Sequence, residues 1–178
     1  MRFDNLNFTL LNGSEPKYDL KKWNENLKIK RTHNCYAYVL DIIKSFKRKP
    51  QPGFASGYSY LTDSDIRSCD KMFERIRADN PSLIRVNYND KCPKGYRKGY
   101  LAVDDGDDTD YHFWRLDLNG KWSHKPGATE ATDKDSNGKI ILFPHLAERK
   151  SDSHHYKKSC SYFCFDPKQS NISNKPKN

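Results

Sequence analysis

Apolar residues recur at helical spacing from Cys35, with Val39, Ile42, Ile43 and Phe46 following it and Thr32 or Asn34 available as N-cap. This pattern predicts a helix that ends in the loop from Lys47 to Gly57. A second stripe, Ile66, Cys69, Phe73 and Ile76, predicts a helix over Asp63 to Asp79, stopped by Asn80-Pro81. After it the period changes from helical to alternating. Ser82 to Tyr88, Tyr96 to Asp104, "YHFWRLD", "KWSHK", the apolar run Gly138 to Phe143 and "CSYFCF" read as strands. The run Asp104 to Asp110 reads as a turn. Residues 1 to about 30 are polar and show little periodicity. Helices first and strands after predict an α+β domain with an antiparallel sheet. A single domain is expected over residues 1–166, with 167–178 as a flexible polar tail.

A three-residue loop at Leu118-Asn119-Gly120, which the hydrophobic pattern favours over a two-residue turn that would put the two histidines on opposite faces, sets a register. With Gly120 in the left-handed position, Asp117 faces Lys121, Trp114 faces His124 and His112 faces Pro126. His112, Trp114, Leu116, Trp122 and His124 then share one face; Phe113, Arg115, Asp117, Lys121, Ser123 and Lys125 share the other. The first face is apolar and is expected to pack on the helix that begins at Cys35. The second suits water. The two histidines become diagonal neighbours.

A thiol at a helix start feels the positive end of the helix dipole, which lowers its pKa and favours the thiolate. On this reading Cys35 is a nucleophile; one of His112 and His124 could take its proton and the other could hold that imidazole in the right tautomer. Asn34 and Tyr36 flank the thiol, Trp114 shares the histidine face and Lys125 stands on the rim, so these four are the candidate substrate contacts.

A cysteine opening a helix, a histidine heading a strand and a second histidine twelve residues later resemble the NlpC-type cell-wall cysteine peptidases and the related CHAP amidases. "NCYAYVL" is similar to the helix start of CHAP domains. The resemblance covers roughly Asn34 to Gly127. It implies a papain-like fold, a thiol hydrolase or amidase acting through Cys35, His112 and His124 on a peptide or amide, possibly of a cell wall, and no cofactor. It departs from the NlpC-type pattern at Asn34-Cys35-Tyr36-Ala37, where Asp-Cys-Ser-Gly is usual.

Charge adds a second possibility. With 32 Lys and Arg against 23 Asp and Glu the net charge is +9, so a catalytically inactive fold acting as a basic binding or structural module for an anionic partner is the alternative. Nucleic acid is a weaker expectation, because the basic residues are scattered along the sequence. No apolar run reaches the roughly 20 residues that span a bilayer. The N-terminus lacks the pattern of a leader, and five cysteines are an odd number. Both features predict free thiols in a reducing compartment, and a monomer is expected. "DKDSNG" opens like a calcium loop but has Pro144 at the twelfth position, so it reads as a surface turn. Zinc would accept His154, His155, Cys160 and Cys164, but a spacing of four along a strand puts both cysteines on one core-facing side. His33 reads as an exposed loop histidine.

Overall fold

A computed structural model describes residues 9–177. Its core is a five-stranded antiparallel sheet in the order β1-β5-β2-β3-β4. The strands are β1 (Ile84–Val86), β2 (Arg97–Asp104), β3 (Asp110–Leu116), β4 (Trp122–His124) and β5 (Lys158–Phe165). Among the described residues five α-helices precede them: α1 (Leu20–Asn24), α2 (Leu27–Thr32), α3 (Cys35–Leu40), α4 (Asp63–Ile66) and α5 (Cys69–Asp79). The α+β class and antiparallel sheet follow the hydrophobic pattern. The first eight residues, where no leader pattern was read, lie outside the described residues.

Several elements differ from the pattern. The stripe from Cys35 to Phe46 forms a helix only as far as Leu40, because Asp41 takes the left-handed conformation with φ 55°. Its carboxylate receives Lys22, Arg115 and Arg97 at 2.7, 3.1 and 3.3 Å, which fixes the break. The stretch Asp63–Asp79 is two helices, because Ser68 caps a fresh start by accepting from Lys71 N–H. The first 32 residues, polar and without period, hold α1 and α2, each started by a side-chain cap, Asp19 and Asn26. The run Gly138 to Phe143 forms isolated bridges, Ile141 to Trp122 and Ile140 to Lys134, and no strand. Residues 167–177 are not a loose tail: Ile172 is buried in the core, and the Asn171 and Lys177 amides donate to the Asp79 and Phe54 carbonyls.

Both faces of the sheet are covered. On one, α3 and α5 pack against Leu101, Val103, Tyr111, Phe113, Phe163 and Phe165. A β-carbon on Gly99 would meet Val39 at 2.8 Å and clash with the Phe163 ring, so glycine here lets α3 lie close on β2. On the other face Tyr100, Trp114, Leu116, Trp122 and Tyr162 are covered by Ile141, Ala147 and Tyr156 from the connection between β4 and β5.

Four cysteines form two disulfides, Cys69–Cys160 and Cys92–Cys164. This corrects the expectation of free thiols in a reducing compartment, since structural disulfides belong to oxidising environments. It also removes both cysteines from any zinc site. The expectation that Cys160 and Cys164 share a face fails for a local reason. Leu101 pairs with Ser161 but Ala102 pairs with Ser159, so Cys160 is the extra residue of a β-bulge. The bulge turns Cys160 toward the helical layer, where Cys69 opens α5. Cys164, beyond the bulge, keeps its side and meets Cys92 in the connection between β1 and β2. Among the described residues no helix is long and apolar enough to cross a membrane.

The bonds close loops 91 and 72 residues apart in sequence, and in the chain-entropy account each stabilises by about 4 kcal/mol. Replacing Cys92 and Cys164 together by alanine is expected to lower the unfolding free energy by about 2–5 kcal/mol. Guanidinium denaturation read by tryptophan fluorescence measures it, and an unchanged midpoint would show that the bond adds nothing.

Candidate functional site

The hairpin register is as the turn chemistry dictated. Trp114 pairs with His124, Arg115 with Ser123 and Leu116 with Trp122. Gly120 has φ 78° and donates to the Asp117 carbonyl at 2.9 Å. His112 and His124 meet, Nε2 to Nδ1, at 2.8 Å. His124 Nε2 lies 2.9 Å from the Lys134 carbonyl. A carbonyl only accepts, so His124 carries its proton on Nε2 and accepts at Nδ1 from His112 Nε2–H. The chain of bonds therefore fixes both rings as neutral Nε2–H tautomers. Trp114 stacks on His124 at 5.7 Å between centroids, and Tyr156 covers His112 at 5.1 Å.

Burial is the main cause of both histidines' lowered pKa values. His112 falls well below the ordinary histidine value, with the His124 charge adding to the effect; His124 falls to about 4. The pair lines a cleft of about 390 Å³. Trp114, Asp110, Arg149 and Tyr156 also line it, and Cys35 does not.

The faces of the hairpin are the reverse of the expected ones. Tyr111 and Phe113 face α3, while His112, Trp114 and Leu116 face the opposite, loop-covered side. The polar set goes inward because it satisfies itself. Arg115 bonds Asp117 at 2.8 Å and Asp41 at 3.1 Å, and its guanidinium lies 3.9 Å from the Tyr38 ring. Ser123 meets the Tyr38 hydroxyl at 2.7 Å and also donates to Asp117. Buried charges held this way are tolerated where single ones are not.

Cys35 is 5% exposed, and its Sγ donates to the Tyr111 carbonyl at 3.9 Å. Among the described residues no hydrogen bond joins it to His112. The expected dipole effect loses to burial, which pushes the thiol up to about 12; the Asp110 charge acts in the same direction, while the Phe113 N–H and Lys125 pull the other way. Helix α3 has only six residues, and its N-terminal amide at Ala37 is taken by the Asn34 side chain.

The other candidates are held in contacts within the fold. Asn34 is that N-cap, and its amide donates to the Pro50 carbonyl at 2.8 Å. Tyr36 is wholly buried and donates to Asp79 at 2.9 Å. Lys125, placed from the sequence on the rim, is buried with Nζ donating to the His33, Lys30 and Gly127 carbonyls at 2.6, 2.7 and 2.8 Å. Burial is also why its pKa falls to about 8. His33 is buried rather than exposed, with Nε2 accepting from the Lys44 amide at 3.2 Å. Trp114 alone of the four substrate candidates lines the cleft. Nothing in local sequence marks Lys125 or Arg115 as interior residues; their acceptors come from distant segments.

The chain is 32% identical over 133 residues to insoluble matrix shell protein 1 of Ruditapes philippinarum, a match spanning 75% of this chain and 81% of that protein. The chain belongs to that protein's family. No protein-family model matches it, and no solved structure matches it. Membership in this family corrects the expectation of an enzyme, since the relative is by name a shell matrix protein. The protonated, enclosed thiol agrees with that correction.

Two outcomes follow from the site. Without reductant, Cys35 is expected to react with a thiol reagent as one group per chain in denaturant. In the native protein at pH 8 it should react at least about a thousandfold more slowly than free cysteine, as a thiol raised from about 8.5 to about 12 requires. A fast native reaction would refute the burial argument. For His124, the folded value lies below the unfolded one. The stability it contributes is therefore complete above about pH 6.5 and is lost as pH falls toward 4, by roughly 3 kcal/mol. Urea midpoints across that range should fall, and His124→Gln should flatten the fall.

Proposed function

We propose that this chain is a non-catalytic structural component of an extracellular, shell-type matrix. The observation that carries the reading is the 32% identity shared with a shell matrix protein over most of both chains. Physical features support it. Two disulfides link the helical layer and the β1–β2 connection to one strand, β5. They suit a protein that works outside the cell without chaperones or reductants. The Cys-His-His order that resembles NlpC-type peptidases is read as a retained papain-like scaffold. Its cysteine fills space under β3, and its two histidines tie β3 to β4 and to the Lys134 backbone. The positive charge of the chain gives this scaffold a means of holding an anionic partner.

Fractionation of the source tissue tests this. Peptides from the chain are expected in the secreted matrix that stays insoluble after salt and chelator extraction. Recovery confined to the soluble cell lysate would refute the structural reading.

A further inference from the structure

The cations scattered along the sequence are gathered by the fold. Residues 26–53 carry seven lysines and arginines and a single carboxylate, Asp41. That carboxylate is already shared by Lys22, Arg97 and Arg115. Residues 167–177 add three lysines and no acidic side chain. The two segments are brought together by buried anchors. Phe46 is 5% exposed, with its ring 4.8 Å from that of His33, and it pins the loop from Lys44 to Pro50. Ile172 in the core and the Lys177 amide on the Phe54 carbonyl hold the C-terminal segment beside the loop.

Between them runs a shallow groove of about 390 Å³ lined by Ser45, Lys47, Arg48, Asn174 and Lys175. Lys44 and Lys177 stand next to its lining residues in sequence, exposed, whereas Lys49 turns to Gly127 and the histidine cleft. Among the described residues no ion pair reaches Lys44, Lys47, Arg48, Lys175 or Lys177. Like charges crowded this way repel one another, and an anionic ligand relieves the repulsion.

We propose that this groove binds an acidic polypeptide, a chain of closely spaced carboxylates. The inference rests on the matrix reading above, which supplies the extracellular setting. No aromatic ring lines the groove, so it has no platform for stacking bases, and the disulfides place the protein where nucleic acid is scarce. Between the cations stand a hydroxyl and a primary amide, Ser45 and Asn174. Asn174 offers both a donor and an acceptor, the pair that a peptide group needs. Several weak ion pairs along one flexible ligand add through effective concentration, so a polymer binds where single carboxylates do not.

The probe is a poly-aspartate of about 20 residues, titrated into the full chain at increasing salt, with heparin as a second ligand of matched charge. Wild type is expected to bind poly-aspartate at least as tightly as heparin, and to lose about tenfold or more in affinity as salt rises several-fold. K47E/R48E/K175E should weaken poly-aspartate binding about tenfold or more with an unchanged unfolding midpoint. K91E/K94E/K139E, an equal charge change at exposed lysines elsewhere, should cost much less. Equal losses in the two variants would show an effect of net charge and overturn the groove. Heparin bound much more tightly through the same residues would reassign the groove to a sulfated polysaccharide and overturn the polypeptide. Self-association lost in the groove variant, with no poly-aspartate binding, would make a second copy the occupant. Each of these failures leaves the tissue fractionation unaffected, so failure of the groove is distinguishable from failure of the matrix reading.

Discussion

Arg115, buried between Asp41 and Asp117, is the interaction on which the arrangement of this protein depends. It draws one carboxylate from the end of α3 and one from the residue just after the strand that bears it. It also donates to the Tyr38 and Lys17 carbonyls at 3.3 and 3.2 Å, so the N-terminal segment, α3 and the β3–β4 hairpin meet on one guanidinium. Five donors in a fixed plane make arginine suited to such a junction. Because the cluster satisfies itself, the polar face of the hairpin can lie against α3. The apolar, histidine-bearing face is then left for the β4–β5 connection to cover.

That inversion decides the chemistry of the site. Strand alternation gives Cys35 the neighbours Tyr111 and Phe113, and gives His112 the neighbours Trp114 and Tyr156. The thiol is enclosed by apolar groups and a carbonyl, an environment that favours its protonated form. The histidines form a neutral hydrogen-bonded pair closed on a backbone carbonyl. On the proposed matrix reading, residue types that suit catalysis serve here as packing and fastening.

Lys125 and the disulfides do the same work by other means. A lysine ammonium with three carbonyl acceptors holds the α2–α3 junction to the end of β4. The two disulfides hold the opposite margin, each reaching β5 from a different side of the sheet. The molecule is fastened at β4, one end of its strand order, and at β5, next to the other end, and its most crowded cations are left outside on loops with buried anchors.

The sequence by itself determined the α+β class, the approximate positions of the strands and the hairpin register. Each of these rests on short-range chemistry: a change of period, a glycine in a turn and alternation along a strand. It also determined that His112 and His124 would meet, because register alone brings them together. Tertiary structure decided what depends on distant partners. The length of α3 was set by cations from α1 and from two strands converging on Asp41. Which face of the hairpin turned inward was set by Arg115, whose burial is permitted only by acceptors far away in the chain. The pairing of four cysteines was set by one bulged residue in β5, which reverses a face without any mark in the spacing. The fate of Cys35 was decided in the same way: a helix start predicts a reactive thiol, and only the packed surroundings show that desolvation outweighs the dipole.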